Sequence, residues 1–151
     1  MKTQRNIIAY LATSADGYIA RPDGDVEWLN RRPDNIDYGM KKVYPTIDTI
    51  LWGRKTYDWL LNYYKKRGRT KGLFDTKRAN DVFSRKPPKR RAPGVRFVSE
   101  PIKSFAKRLR ATPGKHIWMM GGAASSGCAA SLALVQEVPD GVVRLRYEVG
   151  R

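Results

Sequence analysis

The chain holds one cysteine, Cys128, and one histidine, His116, among 151 residues. A lone cysteine excludes an intrachain disulfide. One His and one Cys with scattered carboxylates do not make a metal site, and they support no Ser/His/Asp arrangement. Cys128 has no base near it in sequence and reads as inert. No run approaches the ~18 apolar residues of a membrane span. Met1 to Arg5 leads into an apolar run of strand length only, so neither a span nor a signal peptide is expected. These scarcities point to a reducing cytoplasm. Internal repeats, long linkers, a GxGxxG fingerprint and a Walker A frame are all absent from the sequence.

Acidic residues are also scarce: 14 Asp and Glu stand against 30 Lys and Arg, for a net charge of +16. The excess is uneven. Residues 1–64 carry nine basic and eight acidic side chains, whereas Lys65 to Arg91 carries twelve and two. Such a block attracts polyanions by counterion release. Its only aromatics are Phe74 and Phe83, too few for a single-strand stacking platform. The block therefore reads as a solvated loop around an anionic cofactor site rather than a nucleic-acid surface.

What is present is the material of one domain. Hydrophobic residues make up 41% of the chain, with four Trp, eight Tyr and four Phe as core anchors. Asn6 to Ala12 reads as a buried strand, broken at Asp16-Gly17 and resumed at Tyr18 to Ala20. Pro22 to Asp25 is a turn; Val26 to Asn30 and Asp37 to Tyr44 are short helix candidates. Thr49 to Trp52 is a short apolar strand ended by Gly53. Thr56 then takes the N-cap of a helix whose apolar face is Tyr57, Leu60, Leu61 and Tyr64. Residues 65–80 read as loop, and Asp81 to Ser84 and Val95 to Val98 as strands. Pro101 opens a second helix with Ile102, Phe105, Ala106 and Leu109 on one face, closed by Pro113-Gly114. Ile117 to Met120 is a further apolar strand, and Val143 to Val149 alternates as a half-solvated one. Strands alternating with helices predict an α/β sheet with parallel pairs, which binds ligands at strand carboxyl ends.

Four such ends carry anion-suited residues. Gly53-Arg54-Lys55-Thr56 joins a buried strand to a helix, whose N-terminus offers free N–H groups and a positive dipole end. Gly121-Gly122-Ala123 leaves another buried strand in a form that permits close approach of a pyrophosphate. Ser84-Arg85 can fork onto a ribose 2′-phosphate, which favours NADP over NAD. Ser99 can hydrogen-bond an adenosine half or start a helix. Each has a bland alternative in capping, turn or solvation; together, in one small sheet, they are more specific than any one. His116 opens its strand at the end away from this site.

The ordered motifs resemble a known family. Ala15 to Ala20, Pro22 to Leu29, Asp48 to Tyr57 (DTILWGRKTY), Val82 to Arg85, Phe97 to Ser99, and Pro113 to Ala123 follow the order seen in RibD C-terminal-domain-like reductases. These are relatives of dihydrofolate reductase and of the reductase domain of riboflavin biosynthesis. Pro139 to Val149 resembles the family's final strand. The resemblance implies a three-layer α/β fold with a mixed, mostly parallel sheet, a single domain over 1–151, and a homodimer. It implies NADPH as cofactor, bound by Gly53, Arg54, Lys55, Thr56, Ser84, Arg85, Ser99, Gly121, Gly122 and Ala123. It also implies Asp16 beside the nicotinamide and Trp28 in the substrate pocket, where it can stack on a pterin- or pyrimidine-like heterocycle. Between Ala123 and Leu132 the chain departs from the family: residues 124–131 run almost directly into a terminal hairpin, Leu132 to Val149. About one helix and one or two strands are missing, so the C-terminal core is expected to be incomplete, with an open sheet edge or an inward-shifted hairpin.

The expected function is NADPH-dependent hydride transfer to a small heterocycle. Two other readings stay open: a basic nucleic-acid-binding module built on Lys65 to Arg91, and a degenerate relative that binds nucleotide without turnover.

Overall fold

The computed structural model describes residues 5–12, 20–21, 25–26, 37–120, 130–138 and 142–149. It divides into two compact units, one of Met1–Tyr10 with Pro45–Gly122 and one of Leu11–Tyr44 with Ala123–Arg151.

The first unit is built on five strands: β1 (Ile7–Ala9), β2 (Ile47–Gly53), β3 (Ala79–Phe83), β4 (Val95–Val98) and β5 (His116–Met120). Their order is β1-β5-β2-β3-β4, and every neighbouring pair is parallel. Parallel neighbours require crossovers. Helix α2 (Arg54–Lys65) makes the one from β2 to β3, and α3 (Ile102–Arg110) the one from β4 to β5.

Strand alternation assigns each helix its face. Leu51, Val98 and Ile117 point one way and pack with Phe105 of α3, joined by Ile7, Phe83 and Leu109. Trp52, one residue along from Leu51, points the other way to Phe74, at 5.3 Å between ring centroids. Phe74 stacks on Tyr57 of α2 at 5.4 Å, and Tyr57 meets Phe97 edge-on at 5.2 Å. The unit is thus three layers, helix on sheet on helix. Each fully buried anchor contributes roughly 1.5–3 kcal/mol of burial.

Several expectations are adjusted. β1 is three residues long rather than seven, and β2 begins at Ile47. Helix α2 starts at Arg54, with Gly53 as N-cap and no side-chain cap bond, so Thr56 is the third helical residue and not the cap. Ile102 belongs to the apolar period of α3 yet is 41% exposed, because the helix's first turn overhangs the core that Phe105 fills. Phe74 lies in the segment read as loop but is a buried core anchor.

In the second unit, α1 (Met40–Val43) is a shorter helix than Asp37 to Tyr44. Asp37 stays outside it and accepts the amides of Gly39 and Lys41 at 3.2 and 3.0 Å. A 3-10 turn, Tyr44–Thr46, follows. Arg21 and Asp25 are bonded through backbone and side chain at the two ends of the expected turn. The terminal hairpin is present as antiparallel β6 (Ala130–Val138) and β7 (Val142–Val149). Among the described residues these form a sheet of their own, so the five-stranded sheet is wholly parallel and β1 is its edge strand. The segments around Asp16 and Trp28, the helix candidate beyond Val26, and Gly121 to Ala129 lie outside the described residues. Among the described residues, no helix is long and apolar enough to cross a membrane.

Candidate functional site

Strand register brings the expected anion-binding junctions into one row. Gly53 pairs with Phe83, Phe83 with Val98, and Trp52 with Met120. Ser84, Ser99 and the end of β5 at Met120 therefore leave the sheet at the same edge as Gly53. The strand order also reverses here. From β2 the chain steps outward to β3 and β4, then returns to insert β5 on the other side of β2. Carboxyl ends at such a reversal are the usual ligand crevice of an open α/β sheet.

Arg54 is the centre of the described part. Its Nε donates to Asp58 at 2.7 Å, and its Nη1 donates to the Ser84 hydroxyl at 3.3 Å and the Lys86 carbonyl at 2.9 Å. The same guanidinium lies 5.8 Å from the Phe97 ring centroid, and Arg91 lies 5.7 Å from that ring. Arg54 thus spans from the start of α2 to the turn after β3, and Arg85 sits between two residues that it touches. Its Nη2 has no partner among the described residues, so two donors remain for a ligand. Ser84 donates its proton to the Lys86 carbonyl at 2.9 Å and accepts from Arg54, which makes it a positioner of Arg54 in this conformation.

The electrostatics are one-sided. Arg54 and Lys55 occupy the first turn of α2, which holds no acidic residue. Cations are disfavoured there by the helix dipole, whose positive end they share. Asp58 offsets Arg54 across a half-exposed pair. Lys55 and Arg85 are exposed and form no ion pair among the described residues. Gly53 has an ordinary extended backbone, φ −72°, so the turn itself does not demand glycine. A Cβ there would meet only the Thr56 hydroxyl, at 3.8 Å. The open space above Gly53 and the Thr56 hydroxyl beside it, unbonded among the described residues, suit a ligand's close approach.

Of the expected residues, the structure brings together Gly53, Arg54, Thr56, Ser84 and Arg85, aligns Ser99 with them by register, and leaves Lys55 pointing to solvent. Asp16, Trp28, Gly121, Gly122 and Ala123 lie outside the described residues. Sequence reasoning missed Asp58, Phe97 and Arg91. Phe97 was within reach: it lies two residues before Ser99, on the same strand face. Two depressions lie elsewhere among the described residues. One, of about 50 Å³ beside Leu73 and Pro93, has room for water only; the other is shallow and sits at the amino ends of β3 and β4. No group of three His, Cys, Asp or Glu suited to a metal occurs among the described residues.

No family model matches the chain. Two curated proteins of Bacillus subtilis strain 168 are similar to it. YyaP, uncharacterised, is 34% identical over 139 residues, 89% of this chain and 72% of YyaP. YwjB, also uncharacterised, is 32% identical over 123 residues, 80% of this chain but 66% of YwjB, just under two thirds of that protein. Among solved structures, a Shewanella sp. PV-4 protein provisionally assigned to riboflavin biosynthesis superposes with a TM-score of 0.72. The superposition covers 97% of this chain and 99% of that one at 20% identity. At that identity the likeness shows the fold, an α/β architecture of the dihydrofolate reductase type.

Proposed function

Since the chain belongs to the same family as the uncharacterised proteins YyaP and YwjB, and shares its fold with a riboflavin-biosynthesis-type structure, we propose that it is an NADPH-dependent reductase acting on a small planar heterocycle. The observation that carries this is the unbalanced positive charge at the reversal of strand order. Arg54 joins two strand ends there, and Lys55 and Arg85 stand beside it without counter-charges among the described residues.

The described residues fit the phosphates of such a cofactor. Arg54, Lys55 and the free amides of the first turn of α2 would hold a pyrophosphate or its flanking oxygens. Gly53 would let the backbone approach, and Thr56 would donate its hydroxyl. Arg85, with Ser84 holding Arg54 and Ser99 in the neighbouring row, would select the ribose 2′-phosphate. Gly121, Gly122 and Ala123 are proposed for the pyrophosphate, Asp16 beside the reacting ring, and Trp28 as a stacking wall for a pterin- or pyrimidine-like acceptor. When bound, the cofactor supplies the hydride; the protein's part is to orient the two rings and exclude water. We also infer a homodimer and an internal shortening after Ala123. The stretch matched to YwjB is 80% of this chain and 66% of YwjB, so part of YwjB has no counterpart in the match.

Fluorescence titration with NADPH, NADH and the Arg54→Ala variant tests this. NADPH should bind more tightly than NADH. The variant should lose about tenfold or more in affinity, the scale of a charge-assisted hydrogen bond. Absence of NADPH binding by the folded protein would remove the reductase reading. Binding without hydride transfer to any pterin or pyrimidine offered would leave the degenerate, non-catalytic relative.

A further inference from the structure

We propose that the outer face of α2 and the basic turn after it form a stacking surface for single-stranded nucleic acid, distinct from the nucleotide site at the start of that helix. The surface begins at Trp59, about 7.5 Å along the axis from Arg54, and runs past the C-terminal end of the helix.

The core of the surface is a ladder of rings and guanidinium groups. Trp59 and Tyr63 are stacked, with centroids 4.9 Å apart and planes 25° from parallel. The Arg67 guanidinium covers the other face of Tyr63 at 3.7 Å. Tyr64 meets Tyr63 edge-on at 5.2 Å, and Arg69 lies 5.2 Å from the Tyr64 ring. Trp59 ends the ladder. It is 37% exposed, and among the described residues its only ring contact is Tyr63.

Core packing does not explain Trp59 and Tyr63, whereas Tyr64 shares the helical face of Tyr57. Tyr57 is the buried residue of α2, and at about 100° per residue Trp59 and Tyr63 project from the opposite side of the helix. Helix termination explains one of the cations. Arg67 donates to the Tyr63 carbonyl at 3.4 Å, where the dipole favours positive charge. That leaves Lys65, Lys66, Arg69 and Lys71, with no acidic residue between Trp59 and Gly72. All four are exposed and none makes an ion pair among the described residues. Charge alone would attract any polyanion. An exposed ring among the charges selects a strand whose bases are unstacked, because a duplex keeps its base faces hidden. The basic segment's own rings, Phe74 and Phe83, pack into the core, and α2 supplies exposed ones from the preceding turns.

The test is fluorescence polarisation with labelled oligo-dT and oligo-rU and with a duplex of equal length, over a series of salt concentrations. Wild-type protein should prefer the single strands. Trp59→Ala should weaken binding by roughly tenfold, the scale of one lost base–aromatic stack, while keeping the salt slope. Trp59→Phe should restore most of the affinity. Lys66→Ala with Arg69→Ala should flatten the slope of log affinity against log salt by about 1.4, two phosphate contacts at ~0.7 each. Circular dichroism checks that each variant is folded, and Arg54→Ala should leave oligonucleotide binding unchanged, which separates this surface from the reductase reading. Equal affinity for duplex, or no effect of Trp59→Ala, would overturn the proposal. So would a folded protein that ignores both strands, binds only anionic vesicles or acidic peptides, or buries Trp59 in a dimer that Trp59→Ala dissociates.

Discussion

The two ends of the parallel sheet treat charge in opposite ways. At the amino ends of the strands the buried charge described, Arg5, is fully partnered. Arg5, 6% exposed, pairs with Asp48, donates to the Lys115 carbonyl at 2.6 Å and to Thr49 at 2.9 Å, and reaches Thr112. Asp48 in turn accepts the Lys115 amide at 2.7 Å. Gly114 closes over this cluster: a Cβ on it would lie 2.7 Å from an Asp48 carboxylate oxygen and 2.8 Å from the Arg5 guanidinium carbon. At the carboxyl ends, among the described residues, Arg54 is only partly satisfied, and Lys55 and Arg85 are left over. A closed network holds a fold together; a surplus of one sign needs a partner from outside. The first end is built for stability, and the second is where the proposed ligand would supply the missing charge.

That contrast can be broken from either side. The largest effect is expected from Arg5→Ala. It should destabilise by about 3 kcal/mol, the low end for breaking a buried pair, because Asp48 keeps some water contact. Denaturant unfolding would read it, and NADPH affinity below the transition should stay near wild type. Gly114→Ala should cost about 2 kcal/mol through overpacking against the same cluster, measured the same way. A neutral result there would mean that the loop moves aside and the network is looser than its distances imply. The smallest effect sharpens the other end. Arg85→Ala should leave the unfolding midpoint unchanged within about 0.5 kcal/mol. It should narrow the preference for NADPH over NADH several-fold in a fluorescence titration; an unchanged preference would move the 2′-phosphate contact to another residue.

Local pattern carried most of the elements. Val95–Val98 is a strand with the bounds its composition suggested, and the periods of α2 and α3 are real faces. The start of α2 was misplaced because Thr56 is a good cap by type, whereas the chain turns into the helix at Gly53 without a side-chain cap. The Arg5 network was invisible because its partners lie 43 and 110 residues away, and no local spacing encodes that meeting. The same limit hid Asp81, buried in β3 and held by two bonds from Arg96 on β4 at 2.6 and 2.9 Å. That hydrogen bond, against the cost of burial, raises the Arg96 pKa above its ordinary value. In the candidate site the residue types at strand ends were readable. That Ser84 would orient Arg54, and that Phe97 would lie beneath two guanidinium groups, needed the register.

The position of β5 between β1 and β2 has a consequence for synthesis. Among the described residues β1 pairs with β5 alone, so Ile7–Ala9 has no sheet partner until His116–Met120 leaves the ribosome. At ~5–20 residues per second that wait is on the order of ten seconds. During it, β2, β3 and β4 can already assemble with α2 as a half-sheet whose inner edge is open. A chaperone that binds exposed strand edges would find its longest-lived target there, at the very edge that β5 must later fill.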